Sequence, residues 1–345
     1  MNIAPLEPVP AVKLSAMRVF RTEHFPQSKF IPWLDRPNWQ AAVARKLAAG
    51  EISADQADLC TQWAERGFVV IPGMFTPAQL DATWRDYEAA LASGALKPQE
   101  EPSVRGNKDL PDRVLNPHFN LPTFKNMLCD DKVVELVSLL LGAKALPFQT
   151  IAGHKGSEQL AHSDSIHMTT YPEGYLAANW VAFEDIAPGS GPLQFYPGSH
   201  LLPYAYSKEC GITLAEGQAG YGGYINKYEP FVQRQIALNG LRPEYFMAKK
   251  GDVLFWHANL LHGGSKIEDA ASSRKALVCH YFAEGAVCYH DYTGSPSHML
   301  KMPFLAEADF DPDGYLRRNK DVAAAGAEPY RHYVQYGFKE GRRDR

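Results

Sequence analysis

No stretch of the 345-residue sequence stays apolar for the roughly 18 residues a bilayer span requires, so no membrane anchor is expected. The amino terminus, MNIAPLEPVPAVKLSAMRVF, lacks a basic segment followed by an apolar one, and no secretion signal is read from it. Cysteine is scarce and scattered: Cys60, Cys129, Cys210, Cys279 and Cys288 are odd in number and form no CxxC pair. A disulfide framework and a thiolate zinc site are therefore not expected, and reduced thiols point to the cytoplasm. Neither sign of charge dominates. The net charge of -4, with 21% charged residues, gives no electrostatic reason to expect nucleic acid or a membrane surface as partner. No P-loop or basic run is present that would accommodate the phosphates of coenzyme A. What is there, 45% hydrophobic residues, suits a globular enzyme, and the length allows one large domain with additions or two modest ones.

Residues 1–50 carry prolines and aromatics without sustained periodicity and read as an irregular arm packed on the main domain. Two capping-box spacings follow, Ser53 with Gln56 and Thr76 with Gln79, the second with Pro77 at the first helical position. The first helix places Leu59 and Trp63 on one face and stops at Gly67; Phe68-Val69-Val70-Ile71 then reads as a short buried strand. A third helix runs from Val133 to Leu141 and ends at Gly142. From about 145 the texture changes to short apolar runs between Gly, Pro and Ser turns: LPFQTIAG, GYLAANWVAFEDI, GPLQFYPGSH, GDVLFWHANLLHGG and RKALVCHYF. These predict an antiparallel sandwich or small barrel. Residues 201–250 form a Gly- and Tyr-rich insertion, too long to be structureless, which should carry helix and cover something like a lid. Residues 305–345 read as a small helical appendage with starts at Asp311-Pro312 and Tyr330, able to dock a protein partner.

The chemistry is carried by LAHSDSIH. On a strand, His162 and Asp164 would project from the same face, and a third ligand from a neighbouring strand would complete a set of two histidines and one carboxylate. Such a facial set leaves three positions open on iron, two for a chelating 2-oxo acid and one for O2. HxD alone is a common chance pattern. The segment GDVLFWHANLLHGGS supplies the third ligand: His262 precedes Gly263-Gly264, which would let a cofactor approach the backbone, whereas His257 falls on the opposite strand face. Arg274 opens the apolar run RKALVCHYF, so its guanidinium should enter the core and need an anion. It can grip the far end of a dicarboxylate with two parallel hydrogen bonds, and Ser265 could add a third.

These blocks resemble the phytanoyl-CoA dioxygenase family of iron(II)/2-oxoglutarate oxygenases: ERGFVVIPGMFTPAQL, HSD at 162–164, WVAFEDIAPGSGPLQFYPGSH, and GDVLFWHANLLHGGS with Arg274. The resemblance spans about residues 53–285. It implies a mainly β domain with flanking helices (α+β), a double-stranded β-helix core of jelly-roll or cupin type over 51–300, and a helical amino-terminal support. It places the metal ligands on His162, Asp164 and His262, and the 2-oxoglutarate contacts on Arg274 and Ser265. Both of the latter lie one position later than usual, which suits one inserted glycine, Gly263 or Gly264. Gln149 and Asn179, polar residues in apolar strands, are further candidates for 2-oxoglutarate. His200 of PGSH reads as structural, and His167 as a substrate contact if the chain bends after Asp164.

The implied reaction is hydroxylation of an unactivated C–H bond of a small metabolite or carrier-bound intermediate, with Fe(II), O2 and 2-oxoglutarate consumed to succinate and CO2. Halogenases of the family replace the metal-binding acid with a small residue; Asp164 keeps it. A non-redox hydrolase or isomerase on the same barrel would not need Arg274 and Ser265, and a purely binding protein would need none of the set.

Overall fold

The computed structural model describes residues 19–98, 113–296 and 310–333. The helical support comprises α1 (Trp39–Ala48), α2 (Ala54–Arg66), α3 (Pro77–Ala92), α4 (Pro122–Leu128) and α5 (Asp131–Leu141). The capping boxes at Ser53 and Thr76 form as their spacing predicts, and Asp130 caps α5. On α2 the buried face is Ala57, Cys60, Trp63 and Ala64, with Leu59 at its margin.

The arm needs correction. Residues 1–18 lie outside the described residues, but the remainder includes α1, and Trp33 and Leu34 bury against the helical support. The Trp33 indole N–H donates to the Leu139 carbonyl at 2.7 Å. Helix α1 was hard to read because Val43 is its one buried residue and Asn38 makes no side-chain cap.

The strands are β1 (Phe68–Ile71), β2 (Val114–Leu115), β3 (Ala145–Gly153), β4 (Thr169–Tyr171), β5 (Leu176–Ala182), β6 (Leu193–Phe195), β7 (Glu244–Tyr245), β8 (Val253–His257), β9 (His262–Gly264), β10 (Ala276–Ala283), β11 (Val287–His290) and β12 (Ser295–Pro296). They form a six-stranded antiparallel sheet in the order β1-β8-β5-β10-β3-β2 and two three-stranded sheets, β12-β11-β4 and β7-β6-β9. Alternation along the strands sorts side chains between two layers. Val69, Val181, Val253, Phe255, Leu277 and Tyr281 face the helical support, while Ala178, Trp180, Leu254, Trp256 and Ala276 pack against Leu193 and Phe195 of the opposing sheet and Phe246 just after β7. This is the expected jelly roll with helices on one side.

The insertion carries α6 (Leu214–Gln218), a π-helical turn Tyr224–Tyr228 and α7 (Glu229–Leu238). The appendage, described over 310–333, has three short helices, α8 (Pro312–Arg318), α9 (Lys320–Ala324) and α10 (Pro329–His332). Phe310, Tyr315, Val322, Tyr330 and Tyr333 bury against Phe148 and Phe282 of the large sheet, so the apolar side of this segment is used within the molecule. Among the described residues no helix is long and apolar enough to cross a membrane.

Two buried histidines make the fold acid-sensitive. Burial pushes His118 down to about 3, and burial, with His257 nearby, pushes His200 down to about 4. Both lie below the unfolded value near 6.5, so unfolding takes up protons between those limits. Stability is thus fully present above about pH 6.5 and falls below it, by about 1.4 kcal/mol per pH unit for each histidine. Urea unfolding at a series of pH values between 7.5 and 5 reads this slope, and His200→Asn should flatten it.

Candidate metal centre

His162 and His262 face each other as an antiparallel bridge, each amide donating to the other's carbonyl at 2.9 and 3.0 Å. This pairing, rather than a shared strand, sets the site. His162 belongs to no strand, and Asp164 starts a 3-10 turn, Asp164–Ile166, so the expectation of a regular HxD strand is corrected. The turn swings the carboxylate back. Asp164 Oδ1 lies 3.9 Å from His162 Nε2 and 3.7 Å from His262 Nε2, and one donor atom from each of the three lies within 4.8 Å of the others. All three residues are buried.

The tautomers follow from the backbone. His162 Nδ1 meets the Leu160 carbonyl at 3.0 Å, and His262 Nδ1 meets that of Leu260 at 2.9 Å. A carbonyl only accepts, so each Nδ1 carries a proton, and in the neutral ring that leaves the Nε2 lone pair for a metal, as in metal-binding imidazoles. Burial pushes His162 down to about 4, which keeps it neutral. For Asp164 burial acts upward, but His262, His280 and His162 outweigh it and hold the carboxyl well below its usual range. A buried carboxylate between two oriented imidazoles fits a divalent cation, and the donor set is that of non-haem iron(II).

The other carboxylate oxygen is held from behind. Trp256 Nε1 donates to Asp164 Oδ2 at 2.8 Å, and His280 Nε2 stands 3.6 Å from it. Neither residue was singled out in the sequence. His280 had a signal, since its even spacing from Arg274 along RKALVCHYF puts both on one strand face.

Arg274 is buried, as its apolar flank predicts, and burial lowers it to about 10. Its guanidinium lies 5.7 Å from the Trp180 ring centroid and donates to the Gly191 carbonyl at 2.9 Å. Its Nε has no partner, and among the described residues no carboxylate pairs with it. A buried cation left in this state is a site for an external anion. Ser265 Oγ donates to the Pro192 carbonyl at 2.8 Å, so Ser265 and Arg274 are held by consecutive residues of one turn.

The remaining candidates separate. Gln149 is the cross-strand partner of His280 and shares its face of the sheet. Asn179 does not. It sits on the face of β5 that carries Ala177 and Val181, toward the helices, where its amide donates to Tyr281 Oη at 3.3 Å; it is corrected to a structural residue. His167 follows the bend after Asp164 and packs on the Tyr224 ring at 5.0 Å and His290 at 5.2 Å. His257 meets Asp35 at 3.1 Å, away from the triad. His200 lies on Gly67, whose φ of +79° and absent Cβ are both required: a Cβ would come within 2.5 Å of the imidazole.

The Gly263-Gly264 pair serves a different purpose from the one expected. A Cβ on Gly263 would lie 2.5 Å from the Gln159 carbonyl oxygen, and one on Gly264 would lie 2.5 Å from Ser157 Oγ. The space is taken by the chain's own segment leading to His162. Gly263→Ala must push that backbone away. The expected loss is about 1–3 kcal/mol of stability, as for other overpacked sites, together with weaker metal binding, read by urea unfolding and calorimetry.

The family model Phytanoyl-CoA dioxygenase (PhyH) matches residues 63–276. Human peroxisomal phytanoyl-CoA dioxygenase is 23% identical over 266 residues, 69% of this chain and 71% of that protein. The Bos taurus protein is 30% identical over 154 residues, 44% and 41% of the two chains. Among solved structures, the epimerase SnoN in complex with Fe3+, alpha ketoglutarate and nogalamycin RO superposes with a TM-score of 0.53 at 19% identity, covering 75% of this chain and 93% of that one. EctD from S. alaskensis with 2-oxoglutarate and 5-hydroxyectoine gives 0.51 at 17% identity, over 82% and 83%. With the matched span holding all three donor residues and Arg274, the chain belongs to the phytanoyl-CoA dioxygenase family of iron(II)- and 2-oxoglutarate-dependent oxygenases.

Proposed function

We propose that the protein hydroxylates an unactivated C–H bond of a small metabolite or carrier-bound intermediate, releasing succinate and CO2. The observation that carries this reading is the retained Asp164 carboxylate, with Oδ2 engaged by Trp256 and Oδ1 directed at the two Nε2 atoms. Iron(II) with 2-oxoglutarate and O2 supplies the oxidising chemistry when bound. The protein's own residues supply geometry. His162 and His262 are fixed by their Nδ1 hydrogen bonds, and Trp256 keeps Asp164 from turning. Arg274 is suited to the distal carboxylate of the cosubstrate and Gln149 to its other end, while Ser265, whose hydroxyl donates to Pro192, holds the segment whose Gly191 carbonyl receives Arg274. His167 and the aromatic residues beside it are suited to the substrate.

The experiment is succinate release across a metabolite library with iron(II), products being weighed by mass spectrometry. A gain of one oxygen supports hydroxylation. Turnover that yields a product of unchanged mass, or one lighter by two hydrogens, would replace it with epimerisation or ring closure.

A further inference from the structure

The insertion packs against the segments that carry the metal ligands. The residues immediately before the two histidine ligands, Ala161 and Leu261, point away from the triad into one buried cluster with Ile212, Tyr224, Tyr228, Val232 and Tyr292. Most of that cluster comes from the insertion. Its π-helical turn sets Tyr224 and Tyr228 in register, with ring centroids 4.9 Å apart and planes 24° apart, and Tyr224 in turn packs on His167. A π turn is an uncommon way to arrange such a pair and recurs at functional sites.

The contact that matters is polar. The fully buried Tyr228 hydroxyl accepts the Ser163 amide N–H at 2.9 Å and lies 3.4 Å from the Ser163 carbonyl, to which it can donate. Ser163 is the residue between His162 and Asp164. A second tie comes from Tyr292: its amide donates to the Ile166 carbonyl at 3.2 Å, and its hydroxyl accepts from the Tyr224 amide at 3.1 Å. The HxD segment is irregular here, with no strand ladder to satisfy the Ser163 amide. The hydroxyl of Tyr228 takes the place of that ladder.

We infer that Tyr228 is a positioning residue for the metal centre: by holding the Ser163 peptide it fixes the angle between His162 and Asp164, so that ordering of the insertion and metal binding are coupled. The inference rests on the triad binding a divalent cation. Removing the hydroxyl leaves a buried amide without its acceptor and lets the 3-10 turn relax. Partners that orient metal ligands characteristically alter affinity by about 10–100-fold when removed.

The test is Tyr228→Phe beside Val232→Ala, which loosens the same cluster without removing a hydrogen bond to Ser163. Anaerobic calorimetry with Co(II) alone, Co(II) absorption spectra and limited proteolysis of the insertion are read on each. Tyr228→Phe should bind Co(II) about 10–100-fold more weakly with altered ligand-field bands, while Val232→Ala keeps near-native affinity and bands. In the wild type, Co(II) should protect the insertion from protease, and in Tyr228→Phe that protection should shrink. Equal affinity and bands for Tyr228→Phe and wild type would overturn the inference while leaving the metal centre intact, and so would equal losses in both variants. A wild type that binds Co(II) no better than His162→Ala would remove the metal centre itself and the inference with it.

Discussion

Asp164→Ala should abolish succinate formation and lower iron(II) affinity by at least about 10^3-fold, more than the loss of a residue that only orients a ligand. The carboxylate supplies the one anionic donor of the triad, and the groups that approach its other oxygen, His280 and Trp256, carry no negative charge to replace it. The substitution also strips Trp256 Nε1 of its acceptor, which costs about 1–3 kcal/mol for a buried donor. Loss of metal could then be blamed on a loosened fold. Asp164→Asn separates the two effects. An amide of the same size can still offer its oxygen to Trp256, but it carries no charge and turns its NH2 toward the imidazole lone pairs. It should melt within a few degrees of the wild type and yet be as inactive as the alanine variant. Calorimetry with iron(II) under anaerobic conditions decides the matter, and near-native affinity in the asparagine variant would remove Asp164 from the ligand set.

Much of this site was legible because strand parity is a strong constraint. His262 is the ligand and His257 is not, though for another reason than the Gly-Gly pair: His257 ends β8 and meets Asp35, while His262 starts β9 in another sheet and pairs with His162. Arg274 entered the core because an apolar run follows it, and it is buried without a carboxylate partner. Asn179 shows where parity fails. Strand β5 is buried on both faces, every residue from Leu176 to Ala182, so its polarity does not alternate and the sequence cannot say which set faces the metal. The HxD geometry departs from the sequence expectation for a related reason. The two-residue period predicts a shared face only within a ladder, and after His162 the ladder gives way to a turn held by tertiary contacts, from Tyr228 of the insertion and from the Ala258 carbonyl, which accepts from the Ser163 and Ser165 hydroxyls. Tyr228 and Ser163 are 65 residues apart, and no local pattern announces such a contact. In the sequence Trp256 and His280 are indistinguishable from ordinary core residues of apolar strands. Their importance lies in the one carboxylate oxygen they both approach.

Arg274→Met should make the protein more stable without ligand and nearly blind to 2-oxoglutarate. In the unliganded state the guanidinium is buried, stacked over Trp180, and compensated by one carbonyl. Burial has already lowered its proton affinity, which is the sign of an uncompensated charge. A methionine of similar length fills the space without that charge, and replacements of buried ionic groups by apolar ones have been neutral or stabilising by about 1–4 kcal/mol. The Gly191 carbonyl loses a donor, which offsets about 1 kcal/mol of the gain. The melting temperature of the variant should therefore equal or exceed that of the wild type. Adding 2-oxoglutarate at a hundred times its Kd should stabilise the wild type by about 2.7 kcal/mol and the variant hardly at all. Losing a buried, charge-paired contact costs about 2–5 kcal/mol, or roughly 30- to several-thousand-fold in cosubstrate affinity. Arg274→Lys keeps the charge but cannot span both carboxylate oxygens, and it should fall between the two. The chemical signature is discrimination. The wild type should prefer 2-oxoglutarate to 2-oxobutyrate, which lacks the distal carboxylate, and the methionine variant should bind both equally weakly. A methionine variant that retains the preference would show that the distal carboxylate is held elsewhere, and Arg274 would then have to be explained as a structural cation.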